Sequence, residues 1–110
     1  MTLLQQMDRR EKRRREELRL AVRSELRAAL RELIPDRRVL VFGSLAKPGC
    51  FSDVSDVDLA IEAEPATMTV YRLTSLLAEQ LGRRVDVVLL PECRFRERIL
   101  REGEVWTPRG

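Results

Sequence analysis

Residues 38–62 read RVLVFGSLAKPGCFSDVSDVDLAIE, two apolar segments joined by a stretch rich in turn-forming residues. Arg38–Phe42 is a short run of β-forming residues followed by Gly43, which predicts a buried strand that ends at the glycine. Leu45–Ser55 contains proline, glycine and serine, so it is predicted to form a short helical turn followed by a loop. Asp56–Glu62 starts with alternating polar and apolar residues and is predicted to form a second strand.

Upstream of this stretch, apolar residues recur at three- and four-residue steps. They predict one long helix from about Met7 to Ile34, which ends because Pro35 cannot continue it. The apolar stripe fades before Leu18, so the first half of the helix is expected to project from the domain or to pack on a partner. The run Arg9–Arg15 contains six basic residues. It fits either a solvated helix face or a surface that attracts phosphate-bearing partners.

Downstream, the pattern predicts a helix that begins at Glu64–Thr67 and runs to about Leu81, with Gly82 as its C-terminal cap. The remaining elements are a third strand, a short helix and a brief extended segment, at residues 84–90, 94–101 and around 105–106. The fold class predicted is α/β (α+β), with a small mixed sheet of three to four strands flanked by helices. Residues 1–110 are predicted to form one domain, with an N-terminal helix over 1–34 and a core over 37–107.

Composition excludes several classes of function. The chain has 110 residues, a net charge of +3 and no histidine, which argues against a mechanism that needs an imidazole base. Cys50 and Cys93 stand apart from each other, which favours a reducing compartment over a disulfide scaffold and makes structural zinc improbable. Neither a signal peptide nor an apolar run of membrane-spanning length is present, so a soluble, cytoplasmic protein that does not contact membranes is expected.

Three aspartates carry the chemical interpretation. Asp56 and Asp58 are two residues apart on a predicted strand, so both project to the same side and can hold a pair of divalent ions. Asp86 lies within an apolar strand, where an unpaired charge would be destabilising. If that strand lies beside the second one, Asp86 completes a three-carboxylate cluster. The alternatives are that the first pair faces solvent on an edge strand and that Asp86 pairs with Arg83 or Arg84.

Gly43 and Ser44 form a second candidate group, at the end of the first strand. Glycine lets the backbone approach a bound group, and the Ser44 hydroxyl adds a hydrogen-bond donor for phosphate. Lys47 can neutralise phosphate charge one turn later. A Gly-Ser pair after a strand is more often only a turn, so it gains weight from the aspartates that follow it.

The combination of Phe42-Gly43-Ser44, an eleven-residue spacer and Asp56-Val57-Asp58-Leu59, followed by VDVV, resembles the DNA polymerase β-type nucleotidyltransferase superfamily. The resemblance covers about residues 39–88, and the tail 99–105 is also similar. The short length resembles the minimal nucleotidyltransferase (MNT) group. Lys47-Pro48-Gly49 departs from the glycine pattern common in that group, which leaves the shape of the phosphate loop open.

The resemblance implies a polymerase β-type fold whose catalytic core is residues 37–107. It implies magnesium-dependent transfer of AMP from ATP to an acceptor hydroxyl. Two Mg²⁺ ions would be held by Asp56, Asp58 and Asp86, with Asp86 also assisting removal of the proton. Gly43 and Ser44 would hold the β- and γ-phosphates, with Lys47 as a weaker candidate.

Members of the MNT group are typically paired with a small helical HEPN-family protein in toxin–antitoxin modules. By resemblance, this chain would be an antitoxin that adenylylates a tyrosine of its partner. Two alternatives stay open: a binding module that neutralises a partner by contact alone, and a nucleic-acid binder that uses Arg9–Arg15. The N-terminal helix is also a candidate for self-association.

Overall fold

The computed structural model describes residues 1–109 and shows a mixed α/β architecture with a long N-terminal helix, as predicted. Two short 3₁₀ turns, at residues 43–46 and 90–92, follow the first and third strands. The helices and strands, in chain order, are α1 (Leu3–Leu33), β1 (Val39–Phe42), β2 (Val57–Ile61), α2 (Val70–Leu81), β3 (Val85–Leu89), α3 (Arg96–Glu102) and β4 (Glu104–Trp106).

The four strands form one sheet in the order β3-β2-β1-β4. β1 runs antiparallel to both β2 and β4, whereas β2 and β3 run parallel to each other. The parallel pair is joined by α2, the crossover connection that parallel strands require. The register places Asp58 beside Asp86 on β3 and beside Phe42 on β1. The extended segment predicted around residues 105–106 forms β4. The sheet therefore has four strands, within the three to four that were predicted.

The two faces of the sheet are covered unequally. Alternate side chains of the strands, including Val41, Leu59 and Val85, pack with α1 and α2 into the main core. The opposite face carries a smaller buried cluster, formed by Leu40, Ala60, Leu90 and Ile99. Because Asp58 and Asp86 alternate with core residues on their strands, both lie on this second face, the one that α3 covers.

Helix α1 begins earlier than the sequence pattern predicts. Thr2 caps it, since the Thr2 hydroxyl accepts from the Gln5 N–H at 3.2 Å and the Gln5 side chain accepts from the Thr2 N–H at 2.9 Å. This capping box starts the helix at Leu3, so the predicted start at Met7 is wrong. Its last residue is Leu33, as the following proline requires.

The first turns of α1 project from the rest of the chain. Residues 1–10 are exposed, and the molecule measures 54 × 28 × 24 Å. Contacts with the loop before β2 begin at Arg14, whose guanidinium donates to Asp53 at 3.2 Å. Within residues 1–109, no helix is long and apolar enough to cross a membrane.

The start of α2 also differs from the prediction. The helix begins at Val70 and not at Glu64–Thr67, because Thr69 is the N-cap and its hydroxyl accepts from the Arg72 N–H at 3.1 Å. The Glu64 carboxylate lies just outside the helix, where it accepts from the Val70 N–H at 3.1 Å. The predicted C-terminal cap, Gly82, is confirmed, with a left-handed φ of 64°.

Candidate active site

The sheet register brings two of the predicted aspartates together. Asp58 and Asp86 are directly paired on the adjacent parallel strands β2 and β3, and Asp56 precedes β2 by one residue. Asp56 and Asp86 each keep 42% of the side chain exposed. The condition for a three-carboxylate cluster, that the third strand lies beside the second, is therefore met.

The electrostatics of this group centre on Asp58. Burial raises the pKa of the Asp58 carboxyl, and the neighbouring charges of Asp86 and Asp56 raise it further, while Arg84 acts in the opposite direction. Within residues 1–109, neither a hydrogen bond nor an ion pair reaches the Asp58 carboxylate. Charge repulsion among the three aspartates is thus present in the folded chain and is only partly compensated.

Arg84 supplies that partial compensation. Its Nε lies 3.6 Å from Asp86 Oδ1 and 3.9 Å from Asp56 Oδ2, and its side chain is 74% exposed. The pairing of Asp86 with Arg84, which the sequence left as an alternative, therefore occurs together with the carboxylate cluster. The guanidinium occupies the position of a counter-ion between two aspartates.

The donor set fits a hard divalent cation, because carboxylate oxygens are ligands that Mg²⁺ prefers and the repulsion among these three is only partly compensated. Among the described residues, however, no three histidine, cysteine, aspartate or glutamate side chains stand close enough together to hold an ion. The predicted metal ligands are present as neighbouring charges and not as a formed coordination cage.

Gly43 is tied to Asp58 by close packing. It has a φ of +73° and opens the 3₁₀ turn directly after β1, so the predicted helical turn begins two residues earlier than Leu45. A Cβ at Gly43 would overlap the Oδ2 atom of Asp58 and lie 3.3 Å from its Cγ. Only glycine combines this backbone conformation with this proximity to a carboxylate.

Of the other two predicted phosphate-binding residues, Lys47 lines the cleft and Ser44 does not. Lys47 lines the same cleft as Asp58, and its Nζ lies 3.7 Å from the Glu102 carboxylate on α3. A hydrogen bond from Arg98, assisted by the charge of Lys47, lowers the pKa of Glu102. Ser44 follows Gly43 in the turn but is not among the residues that line the cleft.

A cleft of about 730 Å³ opens over Gly43, Lys47, Asp58 and Asp86. Asp56 is outside its lining. Sequence reasoning missed most of the cleft's walls, which come from the first turns of α2 and from α3. No local pattern in the sequence marked these side chains as cleft residues. The principal wall residues are Tyr71, Thr74, Ser75, Phe95, Arg98 and Glu102.

Comparison with known proteins agrees with this geometry. Residues 23–105 match the family model described as a nucleotidyltransferase domain. The chain therefore belongs to the nucleotidyltransferase domain family.

Within that class, the chain is similar to a solved structure assigned as a minimal nucleotidyltransferase. The two are 35% identical, with a TM-score of 0.52, and the alignment covers 81% of this chain and 92% of the other. Among curated proteins, no significant match to the sequence is found. The matched family region includes Gly43, Asp58 and Asp86 but excludes the projecting turns of α1.

Proposed function

We propose that the chain is a magnesium-dependent nucleotidyltransferase that moves AMP from ATP to an acceptor hydroxyl. The observation that carries the proposal is the in-register pairing of Asp58 and Asp86 at one end of the cleft, with Gly43 packed against Asp58. A cleft of about 730 Å³ falls within the range of small-molecule sites, about 300–1,000 Å³. Membership of the nucleotidyltransferase family supports the reaction class.

Asp56, Asp58 and Asp86 would hold Mg²⁺, which would supply Lewis-acid activation of the acceptor hydroxyl and neutralise charge at the phosphates. Asp86 accepts the proton of the acceptor hydroxyl. The acceptor oxygen forms a bond to the α-phosphorus, the bond from that phosphorus to the bridging oxygen breaks, and pyrophosphate leaves. Lys47 offsets phosphate charge during the transfer.

Before the nucleotide binds, Arg84 and Glu102 form ion pairs with the aspartates and with Lys47. Arg84 neutralises Asp56 and Asp86, and Glu102 pairs with Lys47. All three ion pairs are solvent-exposed and therefore weak, so each gives way to a more highly charged ligand. Ser44 is adjacent in sequence to Gly43, which lines the cleft. Its hydroxyl is the remaining candidate hydrogen-bond donor to phosphate in this turn.

The acceptor in this proposal is a tyrosine of a small helical HEPN-type protein, which this chain would neutralise as an antitoxin in the cytoplasm. The projecting part of α1 supports a role in docking, because Leu3, Leu4 and Met7 are exposed by 70%, 78% and 54%. These residues lie outside the matched family region. Self-association through the same segment, and nucleic-acid binding by the basic run that follows, are the competing uses of α1.

Intact-mass analysis tests the proposal directly. The chain is incubated with Mg²⁺, ATP and the protein product of the neighbouring gene, and a mass gain of one AMP on that product is expected. Asp58→Asn should abolish the gain. Asp53→Asn is the matched control, since Asp53 is an exposed acid in the loop before β2, paired with Arg14 and outside the cleft. Tight binding of the partner without any transfer would instead support neutralisation by contact.

A further inference from the structure

The cleft has two chemically different ends, one with the carboxylates Asp58 and Asp86 and one with aromatic side chains. Helix α3 runs from the aromatic end to the carboxylate end. Glu102, the last residue of α3, pairs with Lys47 and therefore lies at the end that holds the carboxylates. Phe95, the N-cap of the same helix, lies seven residues earlier, which is about 10 Å along the helix axis. Phe95 lines the cleft and is 64% exposed.

Tyr71, on α2, lies at the same end of the cleft as Phe95. Because α2 leads through Gly82 directly into β3, its last turn lies near the start of β3 and its first turn lies near the end of β3. Tyr71, the second residue of α2, is 86% exposed and lines the cleft. Asp86, by contrast, is the second residue of β3 and therefore lies at the opposite end.

Apolar side chains contribute to the lining at this end of the cleft. Val88 and Cys93 line this end and pack against the smaller core cluster. The hydroxyl of Thr74 already donates to the Val70 carbonyl at 2.7 Å, so it contributes little polarity to the wall. The backbone of Phe95 lies about 10 Å along α3 from Glu102, and Tyr71 lies in the first turn of α2, so both exposed rings stand at the end of the cleft away from the carboxylates, where they offer flat surfaces for a base to stack on.

We infer that Tyr71 and Phe95 form the subsite for the base of the incoming nucleotide, which binds by stacking on both rings. The inference rests on the proposed function, because it requires the triphosphate to occupy the carboxylate end. Stacking engages the face of a base and not its hydrogen-bonding edge, so it tolerates different bases. ATP and GTP are therefore expected to bind with affinities that differ by only a few fold.

Equilibrium binding measured by calorimetry tests this subsite without turnover. The ligands are an ATP analogue with a methylene bridge between the α- and β-phosphates and inorganic tripolyphosphate, each with Mg²⁺. Tyr71→Ala and Phe95→Ala should each weaken binding of the analogue about tenfold, the scale of one lost stacking contact. Both variants should bind tripolyphosphate as the unaltered chain does, because that ligand carries no base.

Two further variants separate ring stacking from other causes. Tyr71→Phe keeps the ring and should keep the affinity for the analogue, whereas Phe95→Leu keeps an apolar side chain and should lose it. Val105→Ala is the matched control, since Val105 is 56% exposed on β4 and lies outside the cleft. Unchanged affinity for the analogue in either alanine variant would overturn the inference of a two-ring subsite.

An equal loss of both ligands would also overturn it, because the aromatic residues would then support the fold or the phosphate end. Failure of the proposed nucleotidyl transfer can be distinguished from failure of the base subsite alone. If the unaltered chain binds neither the analogue nor tripolyphosphate, the proposed nucleotidyl transfer is wrong and the base subsite falls with it. If it binds tripolyphosphate and the analogue equally well, the transfer proposal survives and the subsite does not.

Discussion

Replacement of Gly43 by alanine separates an effect on stability from an effect on catalysis. Gly43 and Gly82 have similar left-handed φ values, 73° and 64°. A Cβ at Gly43 would overlap the Asp58 carboxylate, whereas a Cβ at Gly82 would meet no atom within 4 Å. Gly43→Ala and Gly82→Ala therefore carry the same kind of backbone strain, but only the first displaces a candidate catalytic group.

The expected magnitudes differ accordingly. Alanine in the left-handed conformation costs about 1–2 kcal/mol, partly offset by about 0.4–1 kcal/mol because alanine restricts the unfolded chain. Each variant should thus lose about 1 kcal/mol, which lowers Tm by about 4 °C in a domain of this size. In Gly43→Ala, the oxygen of Asp58 must also move by roughly 1 Å, and a misplacement of that size can lower the rate about 100-fold.

Thermal denaturation and the rate of pyrophosphate release measure the two effects independently. Asp58 is half-buried and lacks a hydrogen-bond partner within residues 1–109, so it can rotate away without a large additional loss of stability. Gly43→Ala and Gly82→Ala should therefore have similar Tm values and rates that differ by about two orders of magnitude. Equal rates in the two variants would refute the argument that Gly43 positions the Asp58 carboxylate.

Three further substitutions test the charges of the site and of the fold. Asp58→Asn should abolish transfer yet raise the Tm of the metal-free protein, because it removes a carboxylate that burial and its neighbours disfavour in the charged form; a lower Tm would contradict this. Arg84→Ala should strengthen Mg²⁺ binding about two- to fivefold in calorimetry, since it removes a competing cation from an exposed ion pair, while Arg38→Ala, which breaks a distant exposed pair, should not. Glu104→Gln should lower stability by about 1 kcal/mol at pH 7, because Arg23 donates to both Glu104 oxygens at 2.8 and 2.9 Å. Those hydrogen bonds lower the folded pKa of Glu104 from its ordinary 4.5, so its stabilisation is present above that pH and is lost as the pH falls through the lower folded value. Denaturant titrations of Glu104→Gln and the unaltered chain should therefore converge in acid.

The sheet and its carboxylates were accessible to sequence reasoning because local patterns encode them. A strand that ends at glycine, a D-x-D pair with period-2 alternation and an aspartate within an apolar strand each follow from a few adjacent residues. The parallel pairing of β2 and β3 then follows from the helix between them. The pairing of Asp58 with Asp86 needed one condition, adjacency of the two strands, which the fold meets.

What could not be predicted depends on side-chain capping and on tertiary packing. Thr2 and Thr69 set the starts of α1 and α2 through hydroxyl caps, although each lies among residues that also suit a helix or a loop. The walls of the cleft come from helices that are distant in sequence from the aspartates. No local sequence pattern identifies Tyr71 and Phe95 as site residues. Their candidate role follows only from the cleft that they line, which is formed by tertiary packing.

The placement of Arg84 bears on how an acceptor reaches the site. If the triphosphate lies near Lys47 and the base lies between α2 and α3, the cleft is filled along its length by the nucleotide. Asp56 lies outside the cleft lining and is 42% exposed, and Arg84, which pairs with both Asp56 and Asp86, is 74% exposed, so these groups also border solvent outside the cleft. The acceptor hydroxyl must then approach from that exposed side. A tyrosine on the surface of a partner protein can meet this requirement without any acceptor-binding pocket in this chain, because the partner's own surface supplies the remaining contacts.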